Sequence, residues 1–162
     1  MSVKFLTNLL SQRRRSMIEF EKNISIQRSS QDVFDVITEP AKTPQWQSGV
    51  KSAEWITDAP VGVGSTFRTQ ARFLGRDIET DLKVTEWEPS KLVTIQSVSG
   101  PIQLEITNKV EPQGDVTLLS VTGRLEVGGF FKLGEGLVGK QVEKQVDNDM
   151  HTLKLLLESN QL

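Results

Sequence analysis

The hydrophobic period changes from strand-like to helical within residues 24–46, ISIQRSSQDVFDVITEPAKTPQW, and this change indicates the type of fold. The first residues of this stretch belong to a predicted strand. Across residues 18–27, apolar side chains alternate with polar ones, apart from one slip around Lys22. Strict alternation of this kind is typical of a strand that buries one face and exposes the other.

The same stretch then changes to helical spacing. Ser29 followed three positions later by Asp32 is the signature of a helix N-terminus, and the next apolar residues fall on one helical face. Pro40 and Pro44 then break the chain into a second short helix that ends near Trp46. The sequence therefore predicts a strand followed by two short helices.

Beyond residue 46 the pattern is that of strands only. The alternating segments are residues 50–57, 65–74, 76–87, 92–99, 102–111 and 116–127. The connectors between them carry Gly, Pro, Ser or Asp and suit antiparallel hairpins. We therefore predict an antiparallel meander.

The last predicted element is a long helix over residues 135–158. Six of its apolar side chains project into one arc of roughly 120°: Val138, Val142, Val146, Met150, Leu153 and Leu157. A sheet with one apolar face and a helix with one apolar stripe must bury these surfaces against each other. The expected fold class is α+β, with a curved antiparallel sheet of about seven strands wrapped around the C-terminal helix and two short helices after the first strand.

A glycine-rich stretch at residues 134–141, GEGLVGKQ, matches two phosphate-binding patterns, G-x-G-x-x-G and G-x-x-x-x-G-K. Both patterns need parallel strands around them, and no strand pattern follows the glycines. Gln141 also stands where a P-loop has the hydroxyl that binds Mg²⁺. We therefore reject nucleotide binding and expect the glycines to make a movable flap between the last strand and the helix.

Composition narrows the class of protein. The 162 residues suffice for one domain, and the absence of cysteine excludes disulfides, thiolate metal sites and cysteine nucleophiles. Residues 1–28 carry six Lys or Arg against two Glu, although the whole chain has a net charge of -2. The remainder is therefore acidic, which argues against nucleic acid as a partner.

The basic N-terminus is expected to be separate from the fold. We predict an extension over residues 1–16 and a single domain over residues 17–160. The spacing of Phe5, Leu6, Leu9 and Leu10 before an arginine run allows weak peripheral contact with an anionic membrane. The charge order does not fit a secretory signal, so we expect a cytoplasmic protein.

Four stretches, in this order, resemble the START-like helix-grip superfamily. They are ISIQRSSQDVFDVITEPAKTPQWQSGVKSAEW (24–55), GVGSTFR (62–68), VTEWEPSKLV (84–93) and LKLLLE (153–158). The nearest branch is the SRPBCC or polyketide cyclase/dehydrase-like group, which includes the birch pollen allergen relatives. The resemblance covers residues 18–158 and implies a cavity between sheet and helix that holds a hydrophobic small molecule. The chain departs from the group in its N-terminal extension and in lacking the polar interior side chains of the catalytic members.

Strand alternation predicts which side chains line that cavity, because charged neighbours must face water. Trp46 and Trp55 are placed at the rim, and Asp149 falls within the apolar arc of the helix. The predicted lining residues are Trp46, Trp55, Phe67, Thr69, Ala71, Phe73, Ile78, Thr80, Leu82, Leu104, Ile106, Val121, Val146, Asp149, Met150 and Leu153.

Candidates for catalysis are few. His151, the only histidine, projects away from the apolar arc, and we expect it to face solvent. Asp149 is the one weak candidate for an acid or base, since burial would raise its pKa. By strand alternation Glu86 should face inward like Val84, but a bulge before the Glu-Pro turn would turn its side chain outward. No residue spacing indicates a metal site or a cofactor.

Three functions fit the sequence. The first is binding or transport of a lipid, isoprenoid or polyketide-like molecule in the cavity. The second is a cyclase or dehydratase-like enzyme that uses Asp149 as its acid or base. The third is an interaction protein whose basic N-terminus meets a membrane or a macromolecular partner. Oligomeric state is left open.

Overall fold

The computed structural model describes residues 16–127 and 135–162, so the predicted N-terminal extension and glycine flap lie outside the described residues. Seven strands and three helices are described. They are β1 (Ser16–Ile26), α1 (Ser30–Ile37), a 3-10 turn (Pro40–Lys42), α2 (Thr43–Trp46), β2 (Val50–Trp55), β3 (Thr66–Phe73), β4 (Arg76–Glu88), β5 (Leu92–Ser97), β6 (Ile102–Gln113), β7 (Val116–Val127) and α3 (Glu135–Glu158).

One antiparallel sheet contains all seven strands, in the order β1-β7-β6-β5-β4-β3-β2. The six strands from β2 to β7 form the predicted meander, each paired with its neighbour along the chain. β1 adds to the far edge beside β7, with Ser16 opposite Val127 and Ile26 opposite Thr117. The helix α3 lies against the concave face of this sheet, so the predicted α+β helix-grip fold is confirmed.

The start of α1 forms as the sequence predicts. The backbone N–H of Asp32 donates to the Ser29 side-chain oxygen at 3.1 Å, which satisfies one of the free donors at the helix N-terminus. The Asp32 carboxylate lies 3.7 Å from Arg28. The Thr117 hydroxyl on β7 also donates to the Arg28 carbonyl, just before α1, at 2.6 Å. The strand-to-helix junction is therefore fixed to β7.

The slip in the β1 alternation has a structural reason. Lys22 has the inward parity of Phe20 and Ile24, and its Nζ lies 3.3 Å from the Asp147 carboxylate on α3. An amine at the edge of the sheet thus meets an acid on the helix. Phe20 takes its own inward position because its ring lies over Gly123 on β7, where an added Cβ would come within 2.3 Å of the ring. The glycine makes this close approach possible.

The bulge that would reverse the parity of Glu86 is present. The pairing of β4 with β5 shifts register between Val84 and Glu86. Val84 is buried, Glu86 is exposed, and Trp87 turns inward to stack edge-on against Phe34 of α1 at 5.3 Å. The extra residue therefore directs an aromatic ring, and not a carboxylate, toward the interior.

The apolar core lies where α3 and α1 cover the sheet. Its most deeply buried side chains include Ile26, Val33, Leu119, Leu153 and Leu157. Within the described residues, no helix is both long and apolar enough to cross a membrane.

Candidate functional site

The sheet and α3 enclose a cavity of about 270 Å³. Its wall is built by inward-facing side chains of all seven strands, by the segment from α1 to α2, and by one face of α3. A void of this size is well above the roughly 150 Å³ that holds a benzene molecule, and it approaches the volumes of about 300–1,000 Å³ typical of small-molecule sites. The helix therefore does not fill the concave face of the sheet.

The structure brings together on this wall all but one of the residues predicted to line it. These are Trp46, Trp55, Phe67, Thr69, Ala71, Phe73, Ile78, Thr80, Leu82, Leu104, Ile106, Val121, Val146, Asp149 and Met150. Leu153 lies elsewhere. It is 0% exposed and belongs to the packed core, because α3 meets the sheet directly one turn beyond Met150.

Other wall residues were missed by sequence reasoning. Strand alternation could have predicted Phe20 and Asn108, since each falls on an inward-facing position of its strand. Apart from Trp46, the segment over residues 37–47 had no such signal, because its position over the cavity depends on tertiary packing. It contributes Ile37, Thr38, Pro40, Thr43 and Gln47.

The open side of the cavity runs along β3. The inward-facing side chains Phe67, Thr69, Ala71 and Phe73 are half-buried, whereas their counterparts on β7 are buried. Trp55 of β2 stacks edge-on against Phe67, with ring centroids 5.5 Å apart. Aromatic side chains therefore form the wall on the open side.

Asp149 is the carboxylate of the wall and is only 8% exposed. Its Oδ1 accepts two hydrogen bonds from Ser48, one from the backbone N–H and one from the hydroxyl, both at 3.1 Å. Oδ2 accepts none within the described residues. Burial raises the pKa of Asp149, and the two Ser48 donors oppose that rise because they stabilise the ionised form.

The Ser48 contact also joins two parts of the site. Ser48 lies between α2 and β2, two residues after Trp46, so Asp149 ties this segment to α3. The indole Nε1 of Trp46 is buried and has no hydrogen-bond partner among the described residues. Leaving a buried donor unpaired costs about 1–3 kcal/mol.

The remaining candidates from the sequence lie outside the cavity. His151 is exposed, and its Nδ1 lies 2.8 Å from the Asp147 carbonyl within α3. Glu86 accepts a hydrogen bond from Thr94 at 2.6 Å on the outer face. In the described part of the chain, no group of three His, Cys, Asp or Glu side chains is placed to hold a metal ion.

The Asp149 carboxyl should make stability depend on pH. The fold raises its pKa above the ordinary value of 3.8, so the folded protein keeps the proton to higher pH than the unfolded chain does. The free energy of unfolding should then fall as pH rises from about 4 through the raised pKa. Asp149→Asn removes this titration, and the stability of the variant relative to the wild type should increase over the same range.

Urea unfolding at several pH values between about 4 and 7 measures this difference. Asp147→Asn is the matched control, because that half-exposed side chain lies two residues away on α3 and outside the cavity wall. A constant difference between Asp149→Asn and wild type at every pH would contradict the assignment.

Comparisons with solved structures agree with the fold. A START superfamily protein from Mycobacterium smegmatis has a TM-score of 0.76 at 18% identity, over 87% of this chain and 97% of its own. A conserved protein from Geobacillus kaustophilus has a TM-score of 0.72 at 16% identity, over 88% and 96%. The di-domain ARO/CYC protein BexL, from the BE-7585A biosynthetic pathway, has a TM-score of 0.68 at 16% identity, over 86% of this chain and 46% of its own.

The sequence itself carries the family signal. No curated protein matches it significantly. The family model described as polyketide cyclase / dehydrase and lipid transport matches residues 17–158. This range includes all three helices and all seven strands, apart from the first residue of β1. The chain therefore belongs to the polyketide cyclase / dehydrase and lipid transport family.

Proposed function

We propose that this protein binds an apolar small molecule in the cavity between the sheet and α3 and carries it without chemical change. The observation that supports this most directly is the cavity itself, since an apolar wall with a few polar groups is typical of a small-molecule site. The family description, which names lipid transport, agrees with such a role. The ligand class that we propose is lipid, isoprenoid or polyketide-like.

The distribution of polar groups supports binding more than catalysis. Asp149 is the only ionisable side chain among the described residues of the wall. General acid–base chemistry usually needs a second positioned group to hold or receive the proton. The hydroxyls of the wall, such as those of Thr69 and Thr80, are suited to orient a ligand.

Mass spectrometry of the full-length protein tests the proposal. The protein is analysed natively and after organic extraction, and the extract is searched for a compound present in stoichiometric amount. Recovery of such an apolar compound, returned chemically unchanged after rebinding, is the expected result. A protein that carries no compound and also fails to bind naphthalene in equilibrium dialysis would overturn the proposal.

A second candidate function rests on Asp149. Its burial in the cavity wall and its raised pKa favour a cyclase or dehydratase-like enzyme in which this carboxyl moves a proton on the bound ligand. Asp149→Asn separates the two functions. A carrier variant should still bind the extracted compound, whereas an enzyme variant should lose conversion of that compound while binding persists.

A further inference from the structure

One inward-facing position on β6 breaks an otherwise apolar series. Leu104, Ile106 and Val110 share the inward parity of Asn108, whose half-buried side chain lines the cavity. Within the described part of the chain, this side-chain amide forms no hydrogen bond. An amide in an apolar wall loses hydration without compensation unless a ligand or water supplies a partner. Asn108 therefore marks the point on the sheet where a polar ligand group is best accommodated.

The strand register connects Asn108 with the part of α3 that carries Asp149. Asn108 lies opposite Val121, and Val121 lies opposite Lys22 on β1. The Nζ of Lys22 lies 3.3 Å from Asp147 on α3, and Asp149 follows two residues later, about 3 Å along the helix axis. Asn108 thus belongs to a cross-strand row that ends at Asp147 of α3, and it lines the same cavity as Asp149.

The two side chains offer complementary hydrogen-bonding groups. The Oδ2 of Asp149 has no donor within the described residues, while the amide of Asn108 supplies both a donor and an acceptor. A hydroxyl group satisfies both sides, because its hydrogen can bond Oδ2 and its oxygen can accept from the Asn108 amide. A carbonyl group can satisfy only Asn108.

The charge of the wall argues against carboxylates as ligands. None of the described residues that line the cavity is Lys, Arg or His, and Asp149 is acidic. Lys22, which shares a cross-strand row with Asn108, is engaged by Asp147. A carboxylate that enters this cavity would lose its hydration, gain no ion pair and lie near a second acid.

We propose that the cavity selects an uncharged apolar molecule bearing a hydroxyl group, which is held between Asn108 and Asp149, and that it rejects carboxylates of the same size. This inference rests on the proposed binding function. The cavity of about 270 Å³ is nearly twice the roughly 150 Å³ that holds one benzene ring, so a skeleton of two fused rings fits. Three naphthalene compounds of matched shape therefore serve as probes.

Equilibrium dialysis of the full-length protein against naphthalene, 2-naphthol and 2-naphthoate gives the three dissociation constants directly. We expect 2-naphthol to bind about tenfold more tightly than naphthalene, because hydrogen bonds to a charged group are worth more than one tenfold step. We expect 2-naphthoate to bind at least about tenfold more weakly than 2-naphthol. These comparisons need only the wild-type protein.

Two variants assign the effect to residues. Asp149→Asn should bring the affinity for 2-naphthol close to that for naphthalene and should improve binding of 2-naphthoate relative to 2-naphthol. Asn108→Leu should lower the affinity for 2-naphthol but leave that for naphthalene unchanged. Asn23→Leu on β1 and Glu143→Gln on α3 are the controls, since both side chains are exposed and neither lines the cavity. Both controls should keep the wild-type order of the three affinities.

The outcomes distinguish the two proposals. If naphthalene binds but 2-naphthoate binds as tightly as 2-naphthol, the hydroxyl selectivity is overturned and the cavity remains a binding site. The same holds if 2-naphthol gains nothing over naphthalene. If none of the three compounds binds, the selectivity is overturned, and the proposed function is overturned with it when the organic extract also contains no compound.

Discussion

Replacing Leu153 with alanine is expected to lower the free energy of unfolding by about 2–5 kcal/mol, which is the usual cost of removing a fully buried leucine side chain. Leu153 is 0% exposed and belongs to the core where α3 packs directly on the sheet. Its loss leaves a void that close-packed neighbours fill only in part. For a domain of ordinary stability this is a large fraction of the total.

Leu155 is the matched control because it lies on the same helix, two residues away, and is 67% exposed. Leu155→Ala should change the free energy of unfolding by no more than about 0.5 kcal/mol. Urea unfolding of both variants, followed by circular dichroism, measures the two changes under identical conditions. Equal losses in the two variants would show that the helix does not pack on the sheet through Leu153.

Replacing Ala71 with phenylalanine is expected to weaken naphthalene binding at least about tenfold. Ala71 lies on the open side of the cavity wall, with Ile78 of β4 and Val50 of β2 opposite it in the sheet. A phenyl ring at this position takes up a large share of a 270 Å³ cavity and removes the space for a two-ring ligand. Because the ring enters open space, the cost in stability should stay below the 1–3 kcal/mol typical of an overpacked core.

Gln70→Phe is the matched control for this change. Gln70 precedes Ala71 on β3 and points to the outer face, where its amide lies 3.3 Å from Glu79. The variant adds the same ring to the opposite side of the sheet, so the affinity for naphthalene should remain that of the wild type. Equilibrium dialysis of both variants provides the measurement, and unchanged binding by Ala71→Phe would mean that naphthalene occupies another site.

Local patterns in the sequence were enough to predict the elements of the fold. The change from strand to helical period at Ser29, the inward parity of β3, β4 and β6, and the apolar arc of α3 depend only on residues close together in the chain. The same parity predicts the wall residues of these strands, such as Phe67, Thr80 and Ile106. It fails at Leu153, because periodicity shows which face of α3 is apolar but not how far along the helix the cavity extends.

The β4 bulge could be predicted only in part from the sequence. The sequence raised a bulge near Glu86 as one of two possibilities, because a Glu-Pro turn follows. The structure decides it through the register shift that turns Trp87 inward against Phe34. A bulge depends on how two strands align, and this alignment is set by the partner strand as much as by the bulged one.

The number, kind and order of the elements and the inward-facing side of each strand could be predicted from the sequence, because they follow from interactions between near neighbours in the chain. The pairing of β1 with β7, the contact of Ser48 with Asp149 and the presence of Asn108 and Asp149 in one cavity wall became known only from the three-dimensional structure. Each of these contacts joins segments about forty or more residues apart. Such contacts depend on the twist and closure of the whole sheet around α3, which no local pattern specifies.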